Sequence, residues 1–266
     1  MAEKSMIRAE ILSQERIASQ IYSMWLKAEP IARAAVPGQF VSVYSNDSGR
    51  MLPRPISICE TNPERGALRL VYRVVGAGTA EFSGYQAGDR LDILGPLGNG
   101  FPLDRCQNGR TAFLIGGGIG IPPMVELSRR LKGRALAVAG YRDELFLAEE
   151  LAAYGELRIA VEDASLSAAE PYGVTHGNVL DCIRQNHLHA DVIYACGPTP
   201  MLRAVKAYAQ ENRIECWLSL EQRMACGFGA CLACVCESAA ADPHSQVKNK
   251  RVCKEGPVFA AEDVIL

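Results

Sequence analysis

Two patterns of secondary structure meet at residues 95–100, a stretch of glycine, proline, leucine and asparagine. Before it, short segments rich in β-branched and aromatic residues follow one another closely, with turn residues and no long helical pattern between them. This spacing favours a small antiparallel β-barrel. The predicted strands lie at residues 20–27, 39–45, 54–60, 67–75 and 90–94.

After residue 100 the pattern changes, and short apolar strands alternate with helix-like segments. Such alternation predicts a parallel, doubly wound sheet with helices on both faces. From about Glu215 onward cysteine dominates and clear periodicity is lost. The sequence therefore predicts a β-barrel domain at 1–100, an α/β domain at 101–214 and a cysteine module at 215–266. The predicted strands of the α/β domain are 111–115, 134–140, 157–161 and 191–196, and its helices are Pro122–Leu131, 145–154 and Thr199–Glu211.

Composition excludes several classes of protein. The 266 residues include 28 Lys and Arg against 30 Asp and Glu, a net charge of -2, which argues against a large basic surface for nucleic acid or anionic membranes. No run approaches the ~18 apolar residues of a membrane span, and the N-terminus lacks the apolar core of a secretion signal. We therefore expect a soluble, cytoplasmic protein. In that setting the 10 cysteines indicate metal or redox chemistry rather than disulfides.

Four of these cysteines form a pattern that suits an iron–sulfur cluster. Cys226, Cys231 and Cys234 have the spacing C-x4-C-x2-C, and Cys253 follows after an eighteen-residue gap. Plant-type [2Fe–2S] proteins supply their four thiolates in this order. Glycines and alanines between the cysteines let the backbone wrap closely around such a cluster and aim N–H groups at sulfur.

Two alternatives stay open for the cysteine module. One is a structural zinc site with four cysteine ligands, although zinc ribbons usually combine two C-x2-C pairs and this segment has one. The other concerns the fourth ligand, because Cys236 lies near the loop and competes with Cys253 for that role. We interpret the gap before Cys253 as a hairpin insertion. The other cysteines outside the glycine turns are expected to be small buried apolar groups, namely Cys59, Cys106, Cys182 and Cys216.

Two turns each follow an apolar strand and lead into a helix. The first contains Gly116, Gly117, Gly118 and Gly120, and the second is Cys196-Gly197-Pro198. Turns of this kind present backbone N–H groups to the phosphates of a nucleotide, although the first is not a G-x-G-x-x-G motif and could equally be a tight structural turn. Two of them on one parallel sheet define a crevice above the strand ends, where ligands bind.

The order of these motifs resembles that of a known family. RPIS at 54–57, GGGIGIPPM at 116–124 and CGPTPML at 196–202 resemble the flavin and nicotinamide domains of the ferredoxin–NADP reductase superfamily. EQRMACGFGACLACVC at 221–236 and CKEGPVF at 253–259 narrow the resemblance to the electron-transfer subunits of class 1B, NAD-dependent dihydroorotate dehydrogenases. The resemblance covers essentially the whole chain.

The resemblance implies that the barrel binds FAD. The guanidinium of Arg54 suits a pyrophosphate, and the hydroxyl of Ser57 suits the N5 edge of the flavin. Gly78 and Thr79 would begin a short helix whose amides meet a phosphate, whereas Tyr72 could equally be a barrel core residue. The implied FAD positions are Arg54, Pro55, Ile56, Ser57, Val71, Tyr72, Arg73, Gly78 and Thr79.

The resemblance also implies that the nicotinamide nucleotide lies between the two glycine turns. Ser57 and Cys196 are the residues implied to act where flavin and nicotinamide meet, with an inert buried thiol as the alternative for Cys196. After the second strand of the sheet, acidic residues suit the ribose of NAD, whereas Arg142 suits the 2′-phosphate of NADP, and the family favours NAD. The histidines and acidic pairs form no catalytic group and are expected to be solvated: His176, His187, His189, His244, Glu149-Glu150 and Glu162-Asp163.

The chain lacks room for a second barrel that would hold FMN and dihydroorotate. The resemblance therefore implies a separate FMN-containing catalytic subunit, a heterotetramer of two subunit types, and electron flow from FMN through [2Fe–2S] and FAD to NAD+ in pyrimidine biosynthesis. An NAD(P)H-linked subunit that serves a ferredoxin or sulfur-compound oxidoreductase is a second hypothesis. A zinc-stabilised interaction protein without enzymatic activity is a third.

Overall fold

A computed structural model of the chain describes residues 4–162, 172–243 and 246–266. These residues form two compact units. The first comprises the chain up to Gly100 together with Glu221–Val258, and the second comprises Phe101–Leu220 together with Phe259–Leu266. The division into domains at 1–100, 101–214 and 215–266 stays a prediction, and most of its third part lies in the same compact unit as the first.

Six antiparallel strands of the first unit close into a barrel, which confirms the predicted architecture. The strands are β1 Ser5–Ala18, β2 Ile21–Lys27, β3 Phe40–Val43, β4 Arg54–Asn62, β5 Ala67–Arg73 and β6 Arg90–Leu97. Around the barrel they follow the order β1-β2-β5-β4-β3-β6. The sequence does not predict β1, because its many charged and amide side chains are uncommon in strands and lie on a largely exposed face.

The barrel core is made of alternate residues of each strand. Val41 and Val43 of β3 and Ile58 of β4 point inward. Two short helices, α1 (Glu29–Ala34) and α2 (Ala77–Ser83), each add a buried side chain to this core, Ile31 and Phe82 respectively. The residues between these inward positions, including Ser42, Pro55 and Ser57, therefore face outward.

A network of hydrogen bonds around Glu81 fixes α2. Its carboxylate accepts hydrogen bonds from the Asn46 N–H (2.8 Å), Arg50 Nη1 (2.7 Å), the Tyr85 hydroxyl (2.5 Å) and the Ser45 hydroxyl. Burial alone raises the pKa of Glu81, but these four donors outweigh it and lower the pKa to about 2. The charged form of Glu81 thus ties α2 to the segment that joins β3 and β4.

The second unit is built on a seven-stranded sheet in the order β10-β9-β8-β7-β11-β12-β15. Its strands are β7 Ala112–Gly117, β8 Ala135–Tyr141, β9 Glu156–Val161, β10 Val174–His176, β11 Val192–Cys196, β12 Glu215–Ser219 and β15 Val258–Ala260. Strands β7 to β12 pair in parallel, as the alternating pattern predicts. The boundary predicted at residue 214 falls directly before β12, which is a strand of this sheet.

Helices lie on both faces of the sheet, which confirms the doubly wound class. They are α3 Pro122–Leu131, α4 Ala148–Ala152, α5 Val179–Gln185 and α6 Thr199–Asn212. Helix α3 packs against α4, and α5 packs against α6. Helix α4 is shorter than the predicted 145–154, because Leu147 has a positive φ of 59° and starts the helix late. In the described ranges no helix has both the length and the apolar character needed to cross a membrane.

Replacing Glu81 by glutamine should destabilise the protein, because an amide cannot accept four hydrogen bonds as a carboxylate does. We expect a loss of about 1–3 kcal/mol in the free energy of unfolding at pH 7. The folded-state pKa of Glu81 is lowered from 4.5 to about 2, so its stabilisation is complete above pH 4.5 and is lost as the pH falls towards 2. The deficit of the variant should therefore shrink over that range.

Denaturant unfolding at several pH values measures this deficit. Glu29→Gln is the matched control, since Glu29 forms an exposed ion pair with Arg33 at 2.9 Å. Its removal should cost less than about 0.5 kcal/mol. An effect of Glu81→Gln no larger than that of the control, or one that grows as the pH falls, would contradict this account of α2.

Candidate functional site

The RPIS segment forms a partly open strip at the start of β4. Arg54, Pro55, Ile56 and Ser57 are all partly exposed, whereas the two residues that follow are buried. Pro55 pairs with Ser42 of β3, and Ser57 pairs with Phe40. Direct partners in an antiparallel pair point to the same side of the sheet. The side chains of Pro55 and Ser57 therefore share the outer face of the barrel with those of Ser42 and Phe40.

Arg54 lies against the first turn of α2. A Cβ atom on Gly78 would be 2.5 Å from Arg54 Nε, so the absence of a side chain at position 78 lets the guanidinium lie directly on the helix backbone. Thr79 orders the preceding loop, because its hydroxyl oxygen accepts a hydrogen bond from the Gly76 N–H at 3.2 Å. The first N–H groups of a helix have no intrahelical acceptor. A guanidinium beside such N–H groups suits a pyrophosphate, and the residues present therefore fit FAD.

The three predicted positions on β5 have different surroundings. Val71 is buried on the outer face and Arg73 is exposed. Tyr72 belongs to the barrel core, where its hydroxyl donates a hydrogen bond to Gln14 Oε1 at 2.9 Å and burial raises its pKa. Its ring also stacks on Tyr22, with the centroids 5.9 Å apart. The Tyr72 side chain is thus a core residue of the barrel, and only the backbone of Tyr72 is left to face a cofactor.

The two glycine turns meet at the point where the strand order of the sheet reverses. Strand β7 has β8 on one side and β11 on the other, and Gly116 at the end of β7 pairs with Cys196 at the end of β11. A Cβ atom on Gly120 would lie 2.2 Å from the Cys196 carbonyl oxygen. One on Gly117 would lie 2.5 Å from Met201 Sδ. The turns are therefore in van der Waals contact and form one wall of a crevice at the topological switch point.

The crevice is open to solvent at the residues that follow the strand ends. Gly118 adopts a left-handed φ of 52°, and Cys196 and Gly197 are partly exposed while Pro198 is exposed. Close packing between the two turns explains the glycines at positions 117 and 120, as expected for a tight structural turn. The same packing brings the backbones of both turns to the same crevice, where one ligand could contact both. The arrangement fits a nicotinamide nucleotide.

The loop after β8 carries the residues expected to choose between NAD and NADP. Arg142 Nε lies 3.6 Å from Glu162 Oε2, and both side chains are largely exposed.

His176, His187 and His189 are exposed as predicted, with His176 at the end of β10. Asp163 and His244 lie outside the described residues.

The thiols of the cysteine module lie in two pairs. Cys226 Sγ and Cys231 Sγ are 3.3 Å apart. Cys253 and Cys234 form a side-chain hydrogen bond, and the Cys253 N–H also donates to Cys234 Sγ at 3.4 Å. Two pairs of thiols suit a diiron cluster with two cysteine ligands on each iron. The residues present therefore fit [2Fe–2S].

The electrostatics of the loop favour a thiolate at Cys226. Burial alone raises the pKa of this thiol, but hydrogen bonds from Cys231 and from the N–H groups of Phe228 and Ala230 lower it to about 6. Burial and the nearby thiol of Cys234 instead raise the pKa of Cys253 to about 12. The loop thus presents N–H donors to sulfur, as a cluster site requires.

Both ends of the cysteine segment are attached to the barrel. At one end, a Cβ atom on Gly227 would lie 2.4 Å from Ser42 Oγ on β3. At the other end, the Asn99 N–H donates to the Gly256 carbonyl oxygen at 2.6 Å, and Asn99 Nδ2 donates to the Glu255 carbonyl oxygen at 2.8 Å. The candidate cluster loop therefore rests on β3, directly beside the RPIS strand.

The gap before Cys253 contains the predicted hairpin. Strands β13 (Val235–Glu237) and β14 (Asn249–Arg251) pair antiparallel, and Cys236 lies within β13 opposite Lys250. Arg251 Nη1 donates to the Gly229 carbonyl oxygen at 2.9 Å, while the same guanidinium pairs with Glu255. The hairpin thus returns the chain to the loop and brings Cys253 to Cys234.

The four cysteines expected to be apolar are all buried, which confirms that prediction: Cys59, Cys106, Cys182 and Cys216.

Known proteins resemble this chain over nearly its whole length. A model of the iron–sulfur cluster binding domain of dihydroorotate dehydrogenase B matches residues 221–265. A protein from Geobacillus thermodenitrificans, named the electron transfer subunit of dihydroorotate dehydrogenase B (NAD(+)), is 42% identical over 97% of this chain and 98% of its own. A protein of the same name from Bacillus velezensis is 44% identical over 96% of this chain and 97% of its own. The chain belongs to this family of electron transfer subunits.

Two solved structures are similar to this chain in fold. The structure of an NADH-dependent reduced ferredoxin–NADP oxidoreductase, described for flavin-based electron bifurcation, has a TM-score of 0.82 and 27% identity over 97% of this chain and 89% of that chain. A ferredoxin NADP+ reductase from Neisseria gonorrhoeae with bound FAD and NADP has a TM-score of 0.64 and 17% identity, over 77% of this chain and 91% of that chain. The second likeness shows the fold alone.

The sequence gives no signal for several residues that shape the site. Ser42 is one of two serines on the predicted strand 39–45, and Asn99 lies in the turn-rich stretch between the two predicted domains. Arg251 lies in the gap between cysteines. All three act through contacts with residues that are distant along the chain, which local patterns do not reveal.

Gly120→Ala should disrupt the nucleotide crevice, because the added methyl group would collide with the Cys196 carbonyl. Overpacking of this kind costs about 1–3 kcal/mol of stability. Since the clash displaces one of the two turns, we also expect the affinity for NADH to fall about tenfold or more. Calorimetric titration with NADH and denaturant unfolding measure both effects.

Gly173→Ala provides the control within the same unit, since its nearest neighbour would be Arg158 Cδ at an ordinary 3.4 Å. It should leave affinity and stability within experimental error of the unmodified chain. Equal NADH affinities for the two variants would contradict the assignment of the crevice.

Proposed function

We propose that this chain is the electron-transfer subunit of an NAD-dependent dihydroorotate dehydrogenase and passes electrons from the FMN of a catalytic partner to NAD+ in pyrimidine biosynthesis. The observation that carries the proposal is the attachment of the Cys226 loop to β3, beside the RPIS strand. A cluster in that loop and a flavin on that strand would be neighbours on one face of the barrel. The relatives that are 42% and 44% identical support the same role.

The roles of individual residues follow from their surroundings and belong to this proposal. Arg54 and the first turn of α2, with Gly78 and Thr79, would hold the pyrophosphate of FAD. Pro55, Ile56, Ser57, Val71, Arg73 and the backbone of Tyr72 would contact the rest of FAD, with Ser57 at the reacting edge. The NAD site would consist of Gly116, Gly117, Gly118, Gly120, Cys196, Gly197 and Pro198, with Cys196 near the nicotinamide. The cluster ligands would be Cys226, Cys231, Cys234 and Cys253.

When bound, FAD exchanges a hydride with the nicotinamide and [2Fe–2S] carries single electrons, so the cofactors supply the redox chemistry. The residues of the chain bind and orient these groups. Arg54 neutralises phosphate charge, the N–H groups at Cys226 favour the thiolate that a metal needs, and the two glycine turns bring backbone N–H groups to the nucleotide. None of these roles requires a catalytic triad.

The partner in this proposal is an FMN-containing catalytic subunit, in a heterotetramer of two subunit types in the cytoplasm. The purified chain should therefore reduce artificial acceptors with NADH but form no orotate from dihydroorotate. Addition of the partner should start orotate formation. Orotate formed by the purified chain alone would refute this division of labour.

The ligand assignment is tested with single replacements in the purified chain. Cys231→Ser should lose most of the iron and acid-labile sulfide, because a thiolate pair that binds one iron would be broken. The flavin content and the reduction of artificial acceptors should be retained, since that reaction needs only FAD and NADH. Iron, zinc and sulfide analysis together with the visible spectrum provides the measurement.

Cys236→Ser is the matched control, and Cys253→Ser should behave like Cys231→Ser. If Cys236→Ser lost the cluster and Cys253→Ser kept it, the assignment of the fourth ligand would be wrong. A colourless chain that binds zinc would overturn the proposed function. Co-purification with an iron–sulfur-rich partner and no dihydroorotate activity would instead favour service to a ferredoxin or sulfur-compound oxidoreductase.

A further inference from the structure

Ser42 presents a buried hydroxyl without a hydrogen-bond partner. Its relative exposure is 1%, and within the described ranges Oγ of Ser42 is the one buried side-chain oxygen or nitrogen that lacks a partner. A buried hydroxyl left in this state costs about 1–3 kcal/mol. The position is therefore explained best by a partner that is not part of the polypeptide.

The surroundings of Ser42 indicate which partner this is. The hydroxyl faces Gly227, the residue directly after Cys226, so closely that a Cβ atom on Gly227 would lie 2.4 Å from Oγ. Gly227 has a left-handed φ of 73°, which turns the chain at this point of the loop. The donor therefore lies where the candidate cluster loop approaches the barrel.

We propose that the Ser42 hydroxyl donates a hydrogen bond to a sulfur atom of the [2Fe–2S] group held by the Cys226 loop. This inference rests on the proposed cluster. Within the loop, the N–H groups of Cys231, Phe228 and Ala230 already point to Cys226. Ser42 adds a donor from a separate element, the barrel strand β3. Because hydrogen bonds to sulfur stabilise the more negative reduced state, Ser42 raises the reduction potential of the cluster.

The test is the replacement Ser42→Ala in the full chain loaded with FAD and cluster. Redox titration followed by EPR for the cluster and by absorbance for the flavin gives both potentials. We expect the cluster of the variant to be about tenfold harder to reduce, a fall of about 59 mV for a one-electron couple. The flavin potential should be unchanged. In the cofactor-free chain, Ser42→Ala should not lower the free energy of unfolding, because no internal hydrogen bond is lost.

Ser23→Ala is the matched control. Ser23 is also 1% exposed and faces outward on β2, but its Oγ accepts a hydrogen bond from Arg69 Nε at 2.9 Å. It should destabilise the cofactor-free chain and leave the cluster potential unchanged.

Two results would overturn the inference. One is a cluster potential in Ser42→Ala equal to that of the unmodified chain. The other is a shift confined to the flavin, which would assign the hydroxyl to FAD bound at Pro55 and Ser57 on the same face. Iron and sulfide analysis of the unmodified chain tests the proposed cluster separately, so failure of the proposed function is distinguished from failure of this inference.

Discussion

The close approach of Gly227 to Ser42 is the contact on which the redox arrangement depends. With no side chain at position 227, the backbone of the cysteine loop lies directly on β3, and any larger residue would meet the Ser42 hydroxyl at 2.4 Å. Ser42 pairs with Pro55 of the RPIS strand. Neighbouring strands are about 5 Å apart, so the loop and the strand that would contact the flavin are separated by one strand spacing.

A second attachment, between Asn99 and residues 255–256, holds the other end of the segment in place. The cysteine segment leaves and returns to the same barrel through a hairpin, and Arg251 connects the hairpin to the loop at Gly229. Hydrogen bonds to backbone carbonyls contribute to the positioning of this segment. As a consequence the four thiols lie in two pairs.

Sequence patterns predict the architecture of both units well, because hydrophobic periodicity and turn residues report local structure. They fail where the deciding interactions are not local. The polar strand β1 is held in place by pairing with β2 and β6, and its composition does not predict this pairing. Tyr72 follows the cofactor motif in sequence, yet strand alternation and a hydrogen bond to Gln14 place its ring in the core. The cysteine spacing predicts the cluster ligands, whereas the role of Ser42 requires the three-dimensional contact with Gly227.

We expect the cysteine loop and the barrel to act as one electron-transfer unit within a single chain. The most direct measurement mixes the oxidised, purified chain rapidly with NADH, without its partner and without oxygen, while the absorbance of flavin and cluster and the EPR signal of the reduced cluster are followed. A hydride from NADH brings two electrons to the flavin, and we predict that one of them passes on to the cluster at a rate that does not depend on the concentration of the chain. Reduction of the flavin alone, with the cluster left oxidised, would contradict this prediction.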